Sequence, residues 1–399
     1  MYQHRAITED LYWIGGNDRR LALFENVYPI PRGVSYNAYL LMDEQTVLLD
    51  TVDKSVSEVF LENLEHLLGQ RQLDYIIINH MEPDHCAALG QVLRRYPDAT
   101  VVCTQKALAM IGQFFGNQPV PRSRVVKEGE TLSTGRHTLT FLTAPMVHWP
   151  EVMVTYDSAD QVLFSADAFG TFGALSGNLF ADEVNFETQW LEDARRYYTN
   201  IVGKYGAPVQ ALLKKAAGLD IRMLCPLHGP IWRENISWFL DKYMQWSSYT
   251  PEEPAVLIAC GSVYGHTEDA AFLLASRLAE RGVRNIQMYD VSVTHPSVLV
   301  AEAFRCSHLV FACATYNAGI FPCMETLLLE LKAHGLKNRT IGLLENGSWA
   351  AAAGCQICSL LESMQNMSVL EPVIHLKSAL TEAQLPQLDA LADAIVASM

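Results

Sequence analysis

From Ala255 to Ser398 short apolar runs alternate with amphipathic ones, and few folds accommodate that pattern. Ala255-Val-Leu-Ile-Ala-Cys260, Asn285 to Val291, His308-Leu-Val-Phe-Ala-Cys313, Thr340-Ile-Gly-Leu-Leu-Glu345 and Ser368 to Leu376 read as five strands. Glu268 to Arg281, Pro296 to Arg305, Pro322 to His334, a small-residue stretch through about Gln365, and Thr381 to Ser398 read as helices. Five strands with a helix after each imply an α/β parallel sheet covered on both faces, for which a doubly wound sheet of order 2-1-3-4-5 is one arrangement. The stretch before it, Trp246-Ser-Ser-Tyr-Thr-Pro-Glu-Glu-Pro254, reads as a linker. At 399 residues two domains are expected, 1–249 and 250–399, since about 150 residues per domain is usual.

The first half carries a different signal, the dense run His80-Met-Glu82-Pro-Asp84-His85. Leu73-Asp-Tyr-Ile-Ile-Ile-Asn79 before it reads as a short buried strand, and Ala87 to Arg95 after it as a helix. The run therefore lies on a loop at the carboxyl end of a strand. His80 and Glu82, two apart, point the same way if strand geometry persists, while Asp84 and His85 follow the turn at Pro83 and can face elsewhere. His148, Asp167 and His228 follow Leu139–Ala144, Val162–Ala166 and Ile221–Cys225, each at or just past a largely apolar strand. Four imidazoles and three carboxylates without a thiolate suit reactive iron, manganese or zinc, and a carboxylate such as Asp167 can bridge two ions. Trp149 and Phe169 are candidate pocket walls. His4, His66, His137, His295, His308, His334 and His375 have no comparable neighbours and read as surface or packing residues.

In the second half, Gly261-Ser-Val-Tyr-Gly-His-Thr267 opens a helix. Its backbone N–H groups and the helix dipole can hold a phosphate. It lacks the Gly-Lys-Ser/Thr of a triphosphate loop and the GxGxxG of a dinucleotide site, so a monoester phosphate on Ser262, Tyr264 and Thr267 fits better. Thr315-Tyr-Asn-Ala-Gly319 and Asn346-Gly-Ser-Trp349 follow the third and fourth strands, on the same sheet edge. Tyr316 and Trp349 offer flat faces to a flavin ring, and Gly319 and Gly347 allow close approach.

The order His-x-Glu-x-Asp-His, then His, Asp and His, resembles the flavodiiron proteins, as do the gaps of 62, 18 and 60 residues between His85, His148, Asp167 and His228. The resemblance extends over essentially the whole chain. It implies an N-terminal αββα metallo-β-lactamase-like domain followed by a flavodoxin-like one. It further implies that His80, Glu82 and His148 hold one iron and Asp84, His85 and His228 the other, with Asp167 bridging. Hydrolase relatives usually have a second His where Glu82 stands, and bind zinc. The loop 261–267 resembles the flavodoxin phosphate loop with His266 in place of a common Asn, and Cys313-Ala314 stands where relatives often carry Ser-Pro. The implied cofactor is FMN, bound by Ser262, Val263, Tyr264, Gly265, His266, Thr267, Thr315, Tyr316, Asn317, Gly319, Asn346, Gly347, Ser348 and Trp349. The implied activity is reduction of dioxygen to water, of nitric oxide to nitrous oxide, or both. Electrons would come from a rubredoxin or another reductase, and the assembly would be a head-to-tail homodimer or a tetramer.

Composition narrows the rest. A formal charge of −15 opposes nucleic acid, and no apolar run approaches the ~20 residues of a membrane span. The first ten residues lack the apolar core of a secretion signal, and nine cysteines mostly inside apolar segments suit a reducing cytoplasm. Cys355-Gln-Ile-Cys358 has CxxC spacing but reads as two small residues on a helix; without a second CxxC no rubredoxin-like module is expected. The sequence also admits two rival readings. One is a zinc hydrolase of the metallo-β-lactamase fold with an accessory domain, which leaves Glu82 and the flavin-type loops unexplained. The other is a non-catalytic electron carrier or redox sensor.

Overall fold

The computed structural model describes residues 2–116, 120 and 122–399. They divide into two compact units, Met1–Tyr198 with Ala207–Met244, and Thr199–Gly206 with Gln245–Met399.

The first unit is built on two sheets, one of seven strands and one of five. The seven-stranded sheet is antiparallel at its start and parallel where Thr46–Leu49, Tyr75–Ile77 and Thr100–Cys103 lie side by side. These strands are rich in β-branched residues and almost wholly buried, as parallel strands must be. The two sheets meet through side chains such as Tyr39 and Phe164, whose rings lie 5.4 Å apart edge to face.

Strand ends set up the metal-type loop. Asp50, just past Thr46–Leu49, has a left-handed backbone (φ 56°) and is buried. Its carboxylate accepts the backbone N–H groups of Asn79 (2.7 Å) and His80 (3.2 Å) and the Asn79 amide (2.8 Å). Three N–H groups beyond the neighbouring strand are thereby satisfied, and the chain enters the loop at a fixed angle. That strand is shorter than expected, only Tyr75–Ile77. The following helix also differs from expectation. Pro83–Cys86 forms a separate helical turn carrying Asp84 and His85, and the longer helix begins at Leu89. Proline's fixed φ and missing N–H suit the first position of such a turn.

The second unit is a parallel sheet in which strands run, by chain order, 2-1-3-4-5: Ile286–Asp290, Glu253–Gly261, Cys306–Tyr316, Arg339–Asn346 and Met367–Val369. Helices His266–Glu280, Pro296–Arg305, Pro322–Ala333, Ala353–Glu362 and Leu385–Ser398 follow the strands in turn. The core packs Val256, Ile258, Val310 and Leu344 against Leu274, Leu278, Leu391 and Ile395. The expected fifth strand, Ser368 to Leu376, is instead two pieces, Met367–Val369 and Ile374–Leu376, both paired to Arg339–Asn346. Pro372, lying between them, has no N–H for the ladder. Trp246 corrects the linker. It belongs to the helix Ile236–Ser248, is fully buried, and donates its indole N–H to Glu252 at 2.6 Å.

Candidate metal centre and cofactor cleft

All seven residues of the metal-type pattern converge at one place in the first unit. Their ligand atoms form two sets, His80, Glu82, His148 and Asp167 in one and Asp84, His85 and His228 in the other, each within 4.8 Å of one another. Asp167 reaches both. Its Oδ2 lies 3.1 Å from His80 Nε2 and 3.2 Å from His148 Nε2, and its Oδ1 lies 3.2 Å from His85 Nε2 and 3.6 Å from His228 Nε2. Glu82 Oε2 stands 3.1 Å from His80 Nε2 and 3.0 Å from His148 Nε2. Asp84 Oδ2 stands 3.3 Å from His85 Nε2 and 3.4 Å from His228 Nε2.

The tautomers are set from behind. His228 Nδ1 donates to the Ser35 carbonyl at 2.7 Å, and His80 Nδ1 to Glu151 Oε1 at 2.8 Å. Neutral imidazoles so held turn their Nε2 lone pairs toward Asp167 and its companions. His85 Nε2 and His228 Nε2 then face each other at 3.1 Å. Lone pairs confronting lone pairs and carboxylate oxygens repel unless positive charge lies between them. Both Asp84 oxygens, Asp167 Oδ1 and His148 Nε2 are buried and lack a hydrogen-bond partner. A hard-to-borderline cation bound by nitrogen and oxygen meets all these needs, so the donor set fits two metal ions.

Without a metal, the positive charge that the carboxylates call for must instead come from protons on the imidazoles. Burial alone would lower His80, but Asp167, Glu151 and Glu82 outweigh it and hold the imidazole well above its ordinary range. His148 is pushed up to about 9 by Asp167 and Glu82 against the opposing effect of burial. Conversely, Asp167 falls well below the usual carboxylate range, because its histidines overcome its own burial.

Several neighbours escaped the sequence analysis. Glu151, buried, also accepts the Met81 N–H at 2.9 Å and so braces the loop as well as His80. Tyr197 is wholly buried, packs 5.4 Å from the His228 ring, and has a hydroxyl without a partner among the described residues. Glu25, in a left-handed conformation (φ 50°), has its carboxyl beside Glu82. Burial of its carboxyl and the adjacent Glu82 charge push it up to about 8. Trp149 stands 5.4 Å from the His80 ring, as a wall residue would, whereas Phe169 packs into the core against Tyr243 at 4.4 Å. His137 also departs from expectation. It is buried between Asp157 (2.8 Å) and Asp10 (2.9 Å) and forms an acidic cluster with Asp10 and Asp160.

In the second unit a cavity of about 450 Å³ opens at the sheet edge. Ser262, Val263, Tyr264, His266, Thr267, Thr315, Tyr316, Asn317, Asn346, Gly347, Ser348 and Trp349 line it, together with Ala314, Ala318, Ala350 and Ser378, none of which the sequence marked as a binding residue. Gly265 and Gly319 are absent from the lining and act through the backbone. Gly265 precedes the helix His266–Glu280 with φ 99°, a conformation L-residues rarely adopt, and thereby aims the helix start at the loop. Gly319 pairs with Tyr316 across a two-residue turn, Asn317-Ala318, both with positive φ. Asn346 ties the loops together, donating to Thr267 Oγ1 at 3.0 Å and to the Ser378 carbonyl at 2.8 Å. Trp349 is 92 % exposed and Tyr316 46 % exposed, so large aromatic faces stand open beside a hydroxyl-rich loop at a helix start. This chemistry fits an aromatic ring carrying a phosphate, as FMN does.

Residues 34–229 match the ODP family beta lactamase. The anaerobic nitric oxide reductase flavorubredoxin of Escherichia coli O1:K1 / APEC is 30% identical over 362 residues, spanning 90% of this chain and 75% of that protein. The rubredoxin oxygen:oxidoreductase of Desulfovibrio gigas superposes with a TM-score of 0.92 at 28% identity, over 99% of this chain and 98% of that one. The chain belongs to the flavodiiron proteins. A flavoprotein from Thermotoga maritima, 25% identical, superposes with a TM-score of 0.88 over 100% of this chain and 99% of that one. Flavodiiron proteins bind FMN and a non-haem diiron site, and this member is an oxidoreductase. No helix among the described residues is long and apolar enough to cross a membrane.

Proposed function

We propose that this flavodiiron protein reduces dioxygen to water, nitric oxide to nitrous oxide, or both, with the metals in the first unit and FMN in the second. The observation that carries the proposal is the division of Asp167, one oxygen toward each donor set. In it, His80, Glu82 and His148 hold one iron, Asp84, His85 and His228 hold the other, and Asp167 is shared. The lining of the second unit's cavity holds FMN, with the phosphate at Ser262–Thr267 and the ring beside Tyr316 and Trp349. When bound, the iron pair supplies two electrons and the flavin two more, which matches four for dioxygen and two for a pair of nitric oxide molecules.

The chain's own residues do the rest. Glu151 and the Ser35 carbonyl hold the imidazole tautomers, keeping Nε2 free for a metal. The Trp149 and Tyr197 rings, each 5.4 Å from a ligand imidazole, cover the ligands and help keep bulk water away, which strengthens the charge interactions there. Glu25 stands beside Glu82, and burial together with that charge raises its carboxyl, so a group able to hold a proton lies next to the ligands.

Electrons enter from a rubredoxin or another reductase, and the protein works in the cytoplasm as a head-to-tail homodimer or tetramer. The nine cysteines, all free, agree with a reducing compartment. Sedimentation at equilibrium tests the assembly; a monomer with full activity on dilution would overturn it. The function is tested by anaerobic purification, metal and flavin analysis, and turnover with each gas from a common donor. A yellow iron protein with sustained turnover is expected. A colourless zinc protein, or one oxidised once without turnover, would overturn the proposal.

A further inference from the structure

Cys355 and Cys358 lie three residues apart in the first turns of the helix Ala353–Glu362. Cys355 is exposed and Cys358 half-buried, whereas six of the nine cysteines are buried. The turn that carries them is fastened to the flavin-type cavity. The Ala352 and Ala353 N–H groups donate to Thr315 Oγ1 at 3.0 and 3.3 Å, and Gln356, between the cysteines, donates to the Ala318 carbonyl at 3.0 Å. Thr315 and Ala318 line that cavity.

We propose that Cys355 and Cys358 form a reversible dithiol–disulfide couple, oxidised by disulfides of small thiols or of dithiol proteins, at the back of this cavity wall. Residues three apart in a helix have Cα atoms about 5 Å apart, inside the range that disulfides span. Their Cβ atoms start at roughly 5–6 Å and must close to about 4 Å. The first turn can supply that movement because its N–H groups have no carbonyl partners within the helix. Here they are held by side chains, Thr315 for Ala352 and Ala353 and Glu345 for Gly354 (2.7 Å). Closing the disulfide therefore pulls on Thr315.

The exposed Cys355 thiolate attacks one sulfur of an external disulfide. A Cys355–S–S–R bond forms and one R–S⁻ leaves. Cys358, its proton passed to solvent, then attacks the Cys355 sulfur, breaking that bond and releasing the second R–S⁻. The protein gains one disulfide and loses two hydrogens, and the external disulfide becomes two thiols. The two cysteines differ as such a sequence requires. Burial, with Glu362 nearby, raises the Cys358 thiol, so it resolves rather than initiates. The thiol exchange itself does not depend on the flavin assignment; only the FMN readout rests on it.

The test uses the intact holoprotein equilibrated in glutathione buffers, quenched with acid, alkylated and digested. The peptide bearing both cysteines should pass as a unit from doubly alkylated to unalkylated and lighter by two hydrogens. At a fixed ratio of oxidised to reduced glutathione, diluting total glutathione about fourfold should raise the oxidised-to-reduced protein ratio about fourfold, because two monothiols are released per disulfide. Cys358→Ser should trap glutathione on Cys355. FMN affinity, followed by flavin fluorescence, should differ several-fold between the two redox forms. Persistent double alkylation under excess oxidised glutathione would overturn the proposal. So would glutathione remaining on Cys355 in the unmodified chain, or a crosslink from Cys358 to the half-buried Cys323.

Discussion

Glu151→Ala removes one buried carboxylate from two buried donors, His80 Nδ1 at 2.8 Å and the Met81 N–H at 2.9 Å. Each orphaned donor costs about 1–3 kcal/mol, so the fold should lose roughly 2–6 kcal/mol. His80 has an escape, since its proton can move to Nε2. That relieves the Nδ1 side but turns a donor toward Asp167 and Glu82, where a lone pair is needed. Loss of such a supporting group typically lowers metal affinity roughly 10–100-fold, about 1.4–2.7 kcal/mol. Glu151→Gln keeps an acceptor oxygen for both donors and loses only the charge, so its effect should fall at or below the lower bound. The assay is anaerobic chelator competition against the apo-protein, with flavin content as an internal control that should not move. Wild-type iron affinity in Glu151→Ala, or a Gln variant weaker than the Ala variant, would refute the reasoning.

His137 sits between two carboxylates that, against burial, raise it from 6.5 to about 9. Because the folded value is the higher, its contribution to stability is complete below pH 6.5 and is lost as pH rises through 9. His137→Gln should lower Tm at pH 6 and flatten its fall toward pH 9.5; a parallel fall in both proteins would contradict this. Trp349→Ala should weaken FMN binding by about 0.5–1.5 kcal/mol, roughly 2–13-fold, from lost ring contact, as read by flavin fluorescence titration. Unchanged affinity would remove Trp349 from the ring site. Ala318 holds φ 58° in the turn after Tyr316, so Ala318→Gly should stabilise by about 1 kcal/mol and raise Tm slightly. A lowered Tm would show that its methyl packs usefully.

The metal cluster was legible because ligands in a short run, Glu82 among them, have a chemical identity that survives without coordinates. Their supports were not. Glu151 joins His80 across 71 positions, and nothing in Trp149-Pro150-Glu151 marks it as a further carboxylate of the site. The acceptor for His228 is a backbone carbonyl at Ser35 that any residue could supply. His137 looked isolated because its partners, Asp10 and Asp157, are distant in sequence and meet it only once both sheets form. In the second unit the strand–helix alternation sufficed for a parallel sheet, because its central strands are compact, buried apolar runs, whereas the strand order came only with the flavodoxin-type resemblance. Where one strand is interrupted at Pro372, composition blurred two pieces into one. The cleft's polar and aromatic residues were recognisable, whereas Ala314, Ala318 and Ala350 contribute by position alone. Trp246 was misjudged because neighbouring prolines and acids outweighed one large apolar side chain that burial proves decisive.

Sharing of Asp167 between two metal sites is tested most directly by anaerobic titration of the apo-protein with ferrous iron. Binding should break at two equivalents per chain, with the two ions magnetically coupled, and Asp167→Ala should abolish the coupling and weaken both. A break at one equivalent, or two uncoupled ions in the wild-type protein, would contradict it.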